Sequence, residues 1–245
     1  MTQVNIALEA FAAVLTAVLL TNCLSDRAYD KRQRIQFIGM LVSLLIILLA
    51  DGFVWAADGI ADARVFLYIA DTVNYIAGYG VILFFNRYLS NFVDNRKGRM
   101  KAHIKAFDVG FLIFSLLVLV NLPTGIYFRI AADGTYRRGE LYWLSQVFPA
   151  SALLTNTCII AISQRLQLRK RVLLGIYTLI PFVRIVMDYF NPAWTLTYMG
   201  TFLCIFIHLH TDIHTVGQET APAEKQTTAG ERCADALADT AAFSL

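Results

Sequence analysis

The stretch Val65–Leu89, VFLYIADTVNYIAGYGVILFFNRYL, decides the fold. It is apolar enough to cross a bilayer, yet it carries Asp71 and Asn74 inside that span. An ionisable side chain at such depth costs about 2.5 to 3.5 kcal/mol on insertion scales, so it faces other protein and has a partner or a task. The chain offers Glu9, Asp51, Arg184 and Asp188 in other apolar spans as that company.

Composition agrees with a membrane setting. Hydrophobic residues make up 57% of the 245 positions and charged ones only 16%, with a mean hydropathy of +0.55, more apolar surface than a soluble domain of this length buries. The net charge of +3 is mild. Its basic residues fall in short tracts between apolar spans, which suits a membrane face and gives no nucleic-acid footprint. Cys23, Cys158, Cys204 and Cys233 form no CxxC pair and no metal-ligand spacing, so they read as reduced packing residues. No cleavable signal peptide is expected at the first span.

Moving outward from the third span, six more follow the same length rule of ~20 apolar residues. They are Val4–Leu24, Ile35–Ala57, Phe107–Phe128, Tyr142–Ser163, Val172–Phe190 and Trp194 to about His210. Between the fourth and fifth lies RIAADGTYRRGELYWL, where Asp133-Gly134 flanked by aromatic residues predicts a hairpin. Loops after spans one, three and five hold four, six (including Arg87 at the end of the third span) and four Lys or Arg, against one, three and none after spans two, four and six. The positive-inside rule then puts the N-terminus outside and the tail in the cytoplasm. The expected fold is an all-α membrane protein: a seven-transmembrane helix bundle with a small extracellular β-hairpin between helices 4 and 5. Residues 1–214 form the transmembrane domain, 215–230 a polar cytoplasmic linker, and 231–245 the start of an alanine-rich signalling helix.

This orientation turns position into depth. Glu9, Asp51, Asp71 and Arg184 fall in one layer roughly 8 to 10 Å beneath the outer face, with Asp188 nearer the surface. Asn74, Tyr75, Asn121, Gln146, Thr195 and Tyr198 lie in or near it. Two readings fit. In one, Arg184 pairs with carboxylates in a structural network that fixes helix register. In the other, the layer is an outward-facing ligand pocket walled by Trp55, Tyr75, Trp143 and Tyr198, with Asn74 beside the acids. The acidic excess favours a cationic or amine-bearing ligand, or protons. His208, His210, Asp212 and His214 read as a water-boundary cluster at a helix C-terminus, so neither a metal site nor a cofactor is assigned.

The segments VNIALEAF, MLVSLLIILLADGFVW, DTVNYIAGYGV and RRGELYWLSQ together resemble the seven-helix N-terminal sensor region of bacterial membrane histidine kinases and diguanylate cyclases, over residues 1 to about 214. The resemblance implies an input module in the bacterial plasma membrane. Its last helix would drive a cytoplasmic output domain, in cis or in trans, and homodimerisation would accompany a kinase-type output. No kinase or cyclase sequence follows His214.

The expected function is therefore a membrane sensory module that detects an extracellular small molecule. The runner-up is a small-solute transporter or channel, opposed by the lack of an internal repeat and of paired broken helices. A rhodopsin-type receptor needs a lysine within a span, and no apolar span has one. HExxH and GxSxG motifs are missing, so no enzyme is expected. Pro123 and Pro181 are candidate flex points.

Overall fold

A computed structural model describes residues 2–25, 30–93, 99–163 and 166–190. Among these, six long helices and one two-stranded sheet appear: α1 Thr2–Ser25, α2 Lys31–Ala57, α3 Arg64–Leu89, α4 Arg99–Thr124, β1 Phe128–Ile130, β2 Tyr136–Arg138, α5 Tyr142–Ile162 and α6 Leu168–Phe190. Five helices are long and apolar enough to cross a membrane. The sixth carries an apolar stretch at Arg171–Val183. The expected seventh span, Tyr198 within it, and everything assigned to residues 215–245 lie outside the described residues, as do the side chains of Arg184 and Asp188.

The outer surface explains the composition. Phe11, Val14 and Val18 on α1 and Leu112, Ile113, Leu116, Leu119 and Val120 on α4 are exposed. Such belts suit contact with acyl chains, since a water-facing surface rarely carries contiguous apolar patches this large. The interior is correspondingly mixed. Thr16, Ser43, Asn121, Ser145, Asn156 and Thr178 are all buried beside leucines and aromatics. Helices in lipid gain little from burying apolar groups against each other, so small and hydrogen-bonding residues hold them together. Gly80 sits against Ser43, a Cβ there coming within 3.0 Å of the serine hydroxyl, and this lets α3 approach α2 closely. Thr157 shares a 2.8 Å hydroxyl bond with Thr178 and so joins α5 to α6.

Helix α3 is the hub, packing along α2 and touching α4, α5 and β1, while α1 packs on α2 and α6 on α5. Its entry is set by local chemistry. Asp58 closes α2 by donating its N–H to the Val54 carbonyl, Gly59 turns the chain at φ +82, and one 3-10 turn at Ala61–Ala63 leads into α3.

The hairpin pairs Phe128 with Arg138 and Ile130 with Tyr136 in antiparallel register. Alternation aims Phe128 and Ile130 inward and Arg129 outward. Gly134 turns the loop at φ +85, and a Cβ there would come within 2.5 Å of the Ile60 carbonyl oxygen. Only glycine allows both the left-handed backbone and that approach. Gly134 in turn accepts the Gly59 N–H at 3.2 Å, which ties the hairpin to the α2–α3 loop.

One boundary differs from the sequence expectation. The fourth helix runs Arg99–Thr124, where hydropathy predicts Phe107–Phe128. Tyr127 and Phe128 are apolar because they are buried in protein, both fully, and not because they continue a membrane crossing. Asn121 makes the stop. Its Oδ1 accepts the backbone N–H groups of Tyr127 at 2.7 Å and Phe128 at 3.2 Å, and its Nδ2 donates to the Phe128 carbonyl at 3.2 Å.

Candidate functional site

A cavity of about 540 Å³ lies between α2, α3, α5 and α6 beneath the hairpin, within the size range of small-molecule sites. On α3 its lining runs from Asp71 to Phe85, 14 residue steps that span about 21 Å. The two ends differ in character. Asp51, Asp58, Asp71, Asn74, Arg138 and Gln146 line the end near the hairpin, while Leu44, Ile47, Val81, Ile82, Phe85 and Leu153 line the deeper part.

The roof is a ring stack. Tyr75 lies parallel to Phe128, with centroids 5.5 Å apart and planes 9° apart, and Phe128 stacks on Tyr136 at 6.0 Å. The Tyr75 and Tyr136 hydroxyls meet at 3.3 Å. Burial, first of all, drives the Tyr136 phenol far above its usual pKa, so it stays a neutral hydroxyl. The hairpin is fixed to α3 from outside the stack: Ile130 N–H donates to the Tyr68 hydroxyl at 3.1 Å, and Arg64 Nε donates to the Ile130 carbonyl at 3.1 Å.

Within the polar end, Asn74 Nδ2 donates to Asp51 Oδ1 at 3.3 Å, linking α3 to α2. Asp58 Oδ1 accepts the Tyr136 N–H at 3.3 Å. The Arg138 guanidinium lies over the Tyr142 ring, 4.3 Å from its centroid, a cation–π arrangement. Tyr79 donates to the Ser145 carbonyl at 3.0 Å and so holds α3 to α5. Asp71 is only 6% exposed, and its Oδ2 makes no hydrogen bond among the described residues. Asp51 and Asp58 lie close enough to repel it.

The structure thus gathers Asp51, Trp55, Asp71, Asn74 and Tyr75 on one cavity wall. Two expected members stand elsewhere. Glu9 is buried, 2% exposed, but it packs against Gly52 and is not on the cavity wall. Helix α1 touches the bundle through α2, which stands between Glu9 and the cavity. Trp143 is 55% exposed. It follows Tyr142 by one residue, and a helical step of about 100° turns it away from the cavity that Tyr142 lines. Arg184, Asp188 and Tyr198 have no described side chains.

Sequence reasoning missed Asp58, Tyr79, Tyr136, Arg138, Tyr142 and Asn156 as lining residues. Part of the signal was available: in a strand, Tyr136 and Arg138 share one face and Arg137 takes the other. What the sequence does not display is that this hairpin folds back over the bundle.

Asn121, expected in or near the polar layer, is not on the cavity wall. It pins the hairpin, as above. Asn156 is fully buried at the deep end of the cavity, near His103 of α4. Among the described residues no cluster of three or more His, Cys, Asp or Glu could hold a metal ion. No protein-family model matches the chain, and no curated protein matches it.

Proposed function

We propose that this chain is a membrane sensory module in which an extracellular small molecule occupies the cavity between α2, α3, α5 and α6. In this reading the bundle has seven transmembrane helices, with the N-terminus and the hairpin outside and the tail in the cytoplasm of a bacterial cell. The seventh helix carries the signal to a kinase or cyclase output domain, as the resemblance implies. The observation that carries the proposal is a roofed cavity of about 540 Å³ whose wall includes a deeply buried carboxylate, Asp71. A network serving helix register alone would be expected to close on itself, whereas here the acids face open volume.

Two measurements test it. Orientation is read by placing cysteine at Asp133, an exposed turn residue, in a background where Cys23, Cys158, Cys204 and Cys233 are replaced by serine. A membrane-impermeant maleimide then labels intact cells if the hairpin is outside. Occupancy is read by screening small molecules for a rise in Tm of the protein in nanodiscs, against a Gly78→Trp variant. Gly78 lines the cavity, and nothing lies within 4 Å of a Cβ built there, so indole fills the space without breaking the helix. Hits lost in the variant support the reading. Hits unaffected by it, or uptake of the hit into proteoliposomes, would overturn it.

A further inference from the structure

We infer that the cavity takes an organic monocation, an ammonium group joined to a flat apolar body, with the Asp71 carboxylate as its anchor. This rests on the receptor reading above and names the chemistry of its ligand. Three acids, Asp51, Asp58 and Asp71, line the polar end against the Arg138 guanidinium. They are not equivalent. Asp51 receives a hydrogen bond from Asn74, and Asp58 receives the Tyr136 N–H. Asp71, the most deeply buried of the three, keeps Oδ2 without a hydrogen bond among the described residues. A buried carboxylate oxygen in a low-dielectric site is stabilised most by a cationic donor, which supplies charge and hydrogen bond together.

The walls select the kind of cation. A metal ion requires several oxygen or nitrogen ligands converging at once, and no such cluster exists among the described residues. An ammonium needs fewer and gains from aromatic faces. Trp55, Tyr75, Tyr79 and Tyr142 supply rings to the cavity. Beyond them the lining becomes apolar at Ile47, Val81, Ile82 and Phe85, along the 14 residue steps of α3 from Asp71 to Phe85. A charged head at Asp71 thus leaves about 20 Å of mainly apolar and aromatic wall, with Asn156 as the polar residue at its deep end, for the body of the ligand. Arg138, held over Tyr142 at the cavity mouth, repels a second positive charge there and so favours a monocation over a diamine.

The test uses the full chain in nanodiscs and three probes of matched shape: 2-phenylethylamine, the neutral 2-phenylethanol and the anionic 3-phenylpropanoate. Binding is followed by calorimetry and by the shift in Tm. The expected result is that the amine binds at least tenfold more tightly than either counterpart. Asp71→Asn should then weaken the amine at least tenfold while leaving 2-phenylethanol within about twofold. Should Asp71→Asn fail to fold, Gly78→Trp serves as the second variant, and it must abolish amine binding. Equal affinity for the amine and the alcohol, or wild-type amine affinity in Asp71→Asn, would overturn the amine assignment and leave the cavity reading standing. Binding of none of the three probes would also overturn it. The receptor reading is then decided separately by the library screen against Gly78→Trp.

Discussion

Replacing Asn121 by leucine should release the hairpin roof without disturbing the helices. Asn121 is fully buried and its carboxamide makes three hydrogen bonds to the backbone where β1 begins, from Tyr127 N–H, from Phe128 N–H and to the Phe128 carbonyl. Leucine matches the shape and removes all three. Each orphaned buried N–H costs about 1 to 3 kcal/mol, and leucine regains about 1 to 2 kcal/mol through its two extra buried methyl groups. The net loss for two donors is therefore about 3 kcal/mol. That loss falls on local opening at the Tyr127–Phe128 end of the hairpin, because its other ties lie elsewhere: Tyr68 and Arg64 hold Ile130, Gly59 holds Gly134 and Asp58 holds Tyr136. At about 1.4 kcal/mol per tenfold, the amides of Tyr127 and Phe128 should exchange with deuterium roughly a hundredfold faster. Hydrogen exchange with mass spectrometry in nanodiscs reads this in the peptides that cover β1. Exchange within threefold of wild type there would refute the assignment of Asn121 as the hairpin's anchor, and so would equal acceleration across α2 and α3, which would mean global unfolding.

Three further outcomes follow from the same contacts. Gly134→Ala should cost at least about 1 to 2 kcal/mol from the left-handed backbone alone. The clash with Ile60 adds to this, and the loss is seen as a lower Tm together with faster exchange at Gly59. The Asp133 carboxyl is held below its ordinary value of 3.8 by the Thr135 hydroxyl first and the Thr135 N–H second. A depressed folded pKa gives stability that is complete above the unfolded value and lost as pH falls through the folded one. Protection of the Thr135 amide should therefore be flat from pH 7 to 5 and fall below about pH 4, a dependence that Asp133→Asn removes. Arg87 and Asp108 form a 3.0 Å ion pair between α3 and α4 with side chains 40% and 38% exposed. Solvent screening limits its worth to under about 1 kcal/mol, so Arg87→Gln should leave Tm nearly unchanged, and a large drop would show that the pair is effectively buried by lipid.

The helices were legible because a segment able to cross a membrane must meet one rule of length and polarity, and α1, α2, α3 and α5 end within a few residues of where hydropathy stops. The rule fails at α4 for a physical reason: Tyr127 and Phe128 answer to burial under a hairpin, which hydropathy does not distinguish from burial in acyl chains. The grouping of Asp51, Asp71 and Asn74 was legible too, since counting 1.5 Å per residue along α2 and α3 suffices to bring them to one end of the cavity. Azimuth was not. Glu9 shares a helix face with Ala12, Ala13, Thr16 and Cys23, all buried, and that face meets α2, but nothing in the sequence of α1 says which neighbour it meets. The hairpin's turn was readable from Asp133-Gly134, whereas its docking depends on Asn121 of α4 and on Tyr68 and Arg64 of α3, whose meeting with it is a tertiary event.

The placement of the cavity also bears on how occupancy would become a signal. Helix α3 packs along α2 over most of its length, and α5 packs on α6, while α3 meets α5 over a much shorter stretch. Part of that seam is held by the Tyr79 hydroxyl on the Ser145 carbonyl and by the edge-on contact of Tyr79 with Phe148 at 5.4 Å. A ligand in the cavity touches both helix pairs at once. Its binding energy then differs between a bundle with the pairs closed on it and one with them apart, which is the differential affinity that a population shift requires. Tyr79→Phe removes the hydroxyl bond and keeps the ring packing, so it should leave the fold intact and loosen the seam. On the proposed reading this variant binds ligand several-fold more weakly with little change in Tm, because the cost falls on aligning the two pairs. An unchanged affinity would show that the seam is already set before ligand arrives, and the signal would have to leave the cavity by another route.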